Sequence, residues 1–121
     1  MTRQRVFPQL RITNWDRTRA FYVDGLGFAV LGEYRYELGF PVFATVSRDG
    51  LTLFLSEHAG DGSVGGAAYL VVGDVDALWE ELRAKGVDVQ RPEETPWGTR
   101  EMTIVDPDGS QLRFGNPANA Q

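Results

Sequence analysis

The chain has 121 residues, no cysteine, a single histidine (His58), and 17 acidic against 12 basic side chains, for a net charge of −5. That length fits one domain, and the composition excludes disulfides, thiolate metal sites and any multi-histidine metal centre within one chain. The acidic balance argues against nucleic acid, whose binders cluster basic residues. No apolar run nears the roughly 20 residues of a membrane span, so no membrane and a cytoplasmic address are expected.

Leu10 and Ile12 alternate with Gln9 and Arg11, the pattern of a strand with one aliphatic side. A helix follows, capped by Asn14 or Thr13, with Phe21 and Tyr22 as its bulky side and Gly25 or Gly27 as its stop. The stretch from Gly32 to Val42 reads as a long hairpin, and with the adjoining Phe43 it is unusually aromatic through Tyr34, Tyr36 and Phe40, with Glu33 and Glu37 among the rings. After the turn pair Asp49-Gly50, Leu53 and Leu55 alternate with Thr52, Phe54 and Ser56. Residues 60–66, with four glycines, read as a linker poor in side chains.

The second half is patterned more clearly. Leu70 and Val72 alternate with Ala67, Tyr69 and Val71. Asp74 caps a helix on which Val75, Leu78, Trp79 and Leu82 form one stripe at i, i+3, i+4 and i+7, and Gly86 ends it. The loop from Arg91 to Arg100 is stiffened by Pro92 and Pro96, and Gly98 turns the chain beside Trp97. That indole either stacks on a flat or cationic group, worth about 0.5–2 kcal/mol, or lids the core. Last, Leu112 and Phe114 alternate with Gln111 and Arg113.

The halves echo each other: Gly27 and Gly86 stand 59 apart, and so do Asp49-Gly50 and Asp108-Gly109. The expected fold is α+β: two βαβββ modules, 1–59 and 67–121, joined by the linker 60–66 into a single domain. Together they form an open, half-barrel mixed sheet with helices on its convex side only. The other side then carries Gln9, Arg11, Thr52, Phe54, Ser56, Tyr69, Gln111 and Arg113. Rings beside hydrogen-bonding groups suit an organic ligand, though a subunit interface or a solvated surface gives the same alternation. The acidic balance would steer in a cationic partner, or simply keep the chain soluble.

Arg11-Ile12-Thr13-Asn14 leading to Phe21-Tyr22 and Leu26-Gly27-Phe28, then Pro96-Trp97-Gly98 and Val105-Asp106-Pro107-Asp108-Gly109, resemble the vicinal oxygen chelate superfamily over nearly the whole chain. That superfamily includes glyoxalase I, extradiol dioxygenases and bleomycin-resistance proteins. Its metal seats, carried over, fall at Phe7 (or Gln9), Phe54, Ala67 and Arg113, none of which suits a divalent cation. The resemblance therefore implies neither metal nor cofactor and assigns no catalytic residue. It points to the bleomycin-resistance type: a homodimer that sequesters a small organic ligand, a cationic bleomycin-type antibiotic among the candidates, and so confers resistance. The implied ligand-binding residues are Phe43, Phe54, Ser56, Tyr69, Trp97 and Arg113, and Pro8 marks an N-terminal arm exchanged between subunits. The alternative is a glyoxalase- or dioxygenase-like enzyme acting on a small organic substrate, with Glu57, His58 and Glu101 as its proton carriers.

Overall fold

The computed structural model describes residues 4–118. Strand β1 (Gln9–Arg11) leads into α1 (Trp15–Arg19), which continues as a π-helix over Ala20–Gly25. Strands β2 (Ala29–Arg35), β3 (Val42–Arg48) and β4 (Leu51–Ser56) complete the first module. The second comprises β5 (Ala67–Val71), α2 (Val75–Ala84), the two-residue β6 (Glu93–Glu94), β7 (Thr99–Val105) and β8 (Gln111–Pro117). Each module forms its own four-stranded mixed sheet, ordered β1-β4-β3-β2 and β5-β8-β7-β6, with the first strand parallel to the last. This is the expected α+β arrangement of paired βαβββ units. Among the described residues no helix is long and apolar enough to cross a membrane.

The aliphatic sides of the strands make the core. Leu10, Ile12, Leu53, Leu55, Leu70, Leu112 and Phe114 are all buried, and they pack with Tyr22, Phe28, Val75 and Leu82 from the helices and the chain beyond them. Burying side chains of this size is worth about 1.5–3 kcal/mol apiece before conformational entropy is set against it.

Asn14, and not Thr13, caps α1: its side chain accepts from the Arg17 amide at 3.0 Å. Asp74 does the same for Ala77 at 3.1 Å. The helices nonetheless differ in length, since thirteen steps separate Asn14 from Gly27 and twelve separate Asp74 from Gly86. The surplus residue of the first helix is absorbed by its π-helical turn, which closes i to i+5. Both terminal glycines then sit at positive φ, +79° and +84°.

The modules clasp each other crosswise, the hairpin of each resting on the helix of the other. At one clasp, Asp108 in the β7–β8 connection accepts from Thr13 and from Arg17 at 3.1 Å, while Asp106 accepts from the buried Tyr22 hydroxyl at 2.8 Å. Asp106 also accepts from the amides of Asp108 (2.9 Å) and Ser110 (2.8 Å), which shapes that turn. Burial, then the adjacent Asp106 charge, pushes the Tyr22 phenol far above its ordinary range. At the other clasp, Arg48 at the end of β3 makes two 2.6 Å hydrogen bonds to Glu81 of α2.

Candidate functional site

Register places the non-core side of each sheet row by row. In the first sheet, Gln9, Phe54, Thr45 and Gly32 form one row, and Arg11, Ser56, Phe43 and Tyr34 the next. Three phenyl rings meet there: Phe54 lies 5.3 Å from Phe7 and 5.1 Å from Phe43, both inclined. Tyr34 extends the row from the edge strand. Ser56 shares this row in register but is fully buried, donating to Asp61 at 2.7 Å and accepting from the His58 amide at 3.1 Å. Its hydroxyl is thereby committed to shaping the loop after β4.

In the second sheet, Ala67, Gln111 and Val105 make one row, Tyr69, Arg113 and Thr103 the next, and Val71, Gly115, Glu101 and Glu93 a third. Glu101 is the hub of this side. One carboxylate oxygen accepts from Tyr69 Oη (2.7 Å), Thr99 Oγ1 (2.8 Å) and Trp97 Nε1 (3.5 Å), while Arg113 Nε stands 3.8 Å from the other. Burial alone would push the Glu101 carboxyl up; the three hydrogen bonds and the Arg113 charge outweigh it and hold the group below the ordinary carboxylate range. The same hydrogen bond pushes the Tyr69 phenol up. Gly115 makes the arrangement possible, because a Cβ there would lie 2.2 Å from the Tyr69 hydroxyl.

Trp97 is 67% exposed, which sets it beside this hub and not over the core. Gly98, at φ +93°, turns the chain next to it. Arg113 projects outward between two hollows, one shared with Trp97 and Glu101 and one with Tyr69 and Gln111. Among the described residues no acceptor lies within hydrogen-bonding distance of its terminal nitrogens.

The register shifts two of the metal seats. Phe7 precedes β1, so Gln9 is the residue opposite Phe54, and Tyr69, not Ala67, is opposite Arg113. An amide, a phenyl ring, a phenol and a guanidinium do not fit a divalent cation that needs imidazole or carboxylate ligands. Among the described residues no three His, Cys, Asp or Glu side chains gather into a possible metal site. Of the proton carriers, Glu57 has both oxygens engaged by backbone amides, Trp15 at 2.7 Å and Val42 at 2.8 Å. It ties the start of α1 to β3. Tyr34, Glu101 as a hub and Gly115 are the residues sequence reasoning did not bring to the site. For Gly115 a signal existed, since a glycine inside a strand pattern marks a close approach.

A model of the glyoxalase superfamily matches residues 1–121. No curated protein sequence matches the chain. Among solved structures, an antibiotic binding protein from Streptomyces sp. CB03234 is 26% identical, with a TM-score of 0.75 over 97% of this chain and 98% of that one. A bleomycin resistance determinant encoded on transposon Tn5 is 25% identical (TM-score 0.77; 95% and 98% covered). A bleomycin-binding protein complexed with bleomycin is also 25% identical (TM-score 0.76; 94% and 98% covered).

Proposed function

The chain belongs to the glyoxalase superfamily, and from that membership we propose that it binds a small antibiotic of the bleomycin type and holds it without turning it over, in a groove completed by a second copy of the chain. The observation that carries this reading is the pair of sheet sides furnished with rings, hydroxyls and a guanidinium where a catalytic relative would need a chelating set. The antibiotic- and bleomycin-binding neighbours support it.

In this reading Phe43 and Phe54 of one copy and Trp97 and Tyr69 of the other take the flat parts of the ligand between them. Arg113, half exposed, donates its terminal nitrogens to a ligand oxygen, while Glu101 balances its charge. Ser56 acts from beneath, by holding the loop after β4. The chain's net negative charge draws a basic drug inward. A second copy is invoked because the second sheet's outer side stands open in one chain, with Tyr69, Val71 and Val105 exposed.

Sequestration requires a dissociation constant near 1 μM or below, about −8 kcal/mol. The test is titration with metal-free bleomycin, followed by tryptophan fluorescence and by calorimetry, with sedimentation at micromolar concentration to read the assembly. Binding near that affinity by a dimer is expected. Silence in both signals at tens of micromolar removes the named ligand, and a monomer that binds removes the shared groove.

A further inference from the structure

The two crosswise clasps are related by the internal repeat, yet they are filled differently. The β7–β8 connection has five residues, Asp106–Ser110, and it meets the large Tyr22 of the first helix. The β3–β4 connection has two, Asp49 and Gly50, and the residue of α2 that corresponds to Tyr22 is Leu82, eight positions after its cap as Tyr22 is after Asn14. A shorter hairpin over a smaller side chain leaves space. A cavity of about 230 Å³ lies there, walled by Leu26, Phe28, Leu51, Val72, Leu78 and Phe114. None of the six candidate groove residues lines it.

At this size it could hold a ring, since a cavity of about 150 Å³ takes up benzene, but it differs from a closed apolar void in opening to solvent past Arg48, Asp49, Gly73 and Asp74. The charges at its mouth select the ligand. Arg48 is spent: it donates to Glu81 through both terminal nitrogens at 2.6 Å, to the Leu26 carbonyl at 2.7 Å, and stands 3.6 Å from Asp49. Lys85, 3.9 Å from Glu81, belongs to the same cluster. Asp49, almost fully exposed, and Asp74, with one oxygen used as the α2 cap, leave the mouth with more carboxylate than free cation. We propose that this seam is a second binding site, distinct from the antibiotic groove, for a compact apolar molecule bearing one primary ammonium group. The hydrocarbon body fills the space beside Leu78 and Phe28, and the ammonium meets Asp49 at the mouth.

The test compares 2-phenylethylamine, 2-phenylethanol and phenylacetate against the full chain, by amide chemical shifts and calorimetry. The amine should shift residues 26–28, 48–51 and 72–78 and bind about two- to fivefold more tightly than the alcohol, the acid binding weakest, because the Asp49 carboxylate is exposed and screened. Asp49→Asn, which keeps a residue type tolerant of the positive φ at that position, should bring the amine to the alcohol's affinity. Leu78→Phe and, from the opposite wall, Leu51→Phe should weaken all three by about tenfold or more without lowering the melting temperature, since each fills a void. Equal affinities for amine and acid, unchanged binding in both filled variants, or shifts confined to Phe43 and Trp97 would overturn the proposal. Bleomycin binding does not enter these readouts, so the two sites stand or fall separately.

Discussion

Replacing Gly115 by alanine tests the carboxylate hub where it is most tightly built. The new methyl carbon would lie 2.2 Å from the Tyr69 hydroxyl and 3.0 Å from both Tyr69 Cζ and Glu101 Cγ. Backbone on β8 is clamped between β5 and β7, so the tyrosine must move. Its ring is about half exposed and has solvent to swing into, so the overpacking cost stays near the low end of about 1–3 kcal/mol. The lost hydrogen bond to a carboxylate is partly replaced by water. A net loss of about 1–1.5 kcal/mol is expected, or about 3–6 °C in melting temperature for a domain of this size. A cycle with Tyr69→Ala isolates the cause, because in that background the methyl meets no ring and should cost less by about 1 kcal/mol. Ultraviolet titration gives a second reading. The Tyr69 phenol ionises above its ordinary 10.0 through its bond to Glu101, and in Gly115→Ala it should move back down. Because the folded-state value is raised, that bond is fully present below pH 10.0 as long as Glu101 is ionised, and is lost as pH rises through the folded value. An equal penalty with and without the tyrosine ring would refute the reasoning.

Trp97→Ala should weaken bleomycin about tenfold in calorimetry if the proposed groove is right, with a melting temperature within about 2 °C of the parent, because the ring is exposed and makes only a 3.5 Å hydrogen bond to Glu101. Tyr22→Phe leaves one oxygen of the buried Asp106 without its donor, so urea denaturation should show a loss of about 1.5–3 kcal/mol. Glu101, Glu81 beside Arg48, and Asp76, which accepts from Arg100 at 2.9 and 2.8 Å, all have depressed carboxyl values, so their contribution is present above the ordinary 4.5 or 3.8 and lost as pH falls through the folded values. Melting curves of Glu101→Gln should therefore fall less steeply below pH 4.5 than those of the parent. Dialysis against a chelator should leave melting temperature and bleomycin affinity unchanged; a loss of both would restore a catalytic metal to consideration.

Strand alternation identifies the sides of the sheet because a period of two admits no ambiguity once Leu53 and Leu55 are known to point inward. Gly86 is legible as a helix stop for a similar local reason, a left-handed residue closing the last turn, whereas the sequence leaves Gly25 and Gly27 open for the first helix and the positive φ falls to Gly27. The π-helical turn is not legible, since one surplus residue between Asn14 and Gly27 looks the same in sequence as a longer helix. The Glu101 hub is hidden differently. Its donors come from β5, from the loop before β7 and from β7 itself, and no local pattern reports which strands become neighbours. Ser56 shows the converse: alternation assigns its side correctly, but whether the next loop folds over it depends on Asp61, five residues on.

The crosswise seating of the hairpins also ties each module to the other at two separate places. Arg48 to Glu81 at one clasp and Arg17 to Asp108 at the other act as paired stays, and none of the four is a candidate groove residue. Removing either ion pair would therefore loosen the join between the modules while leaving every candidate groove side chain in place.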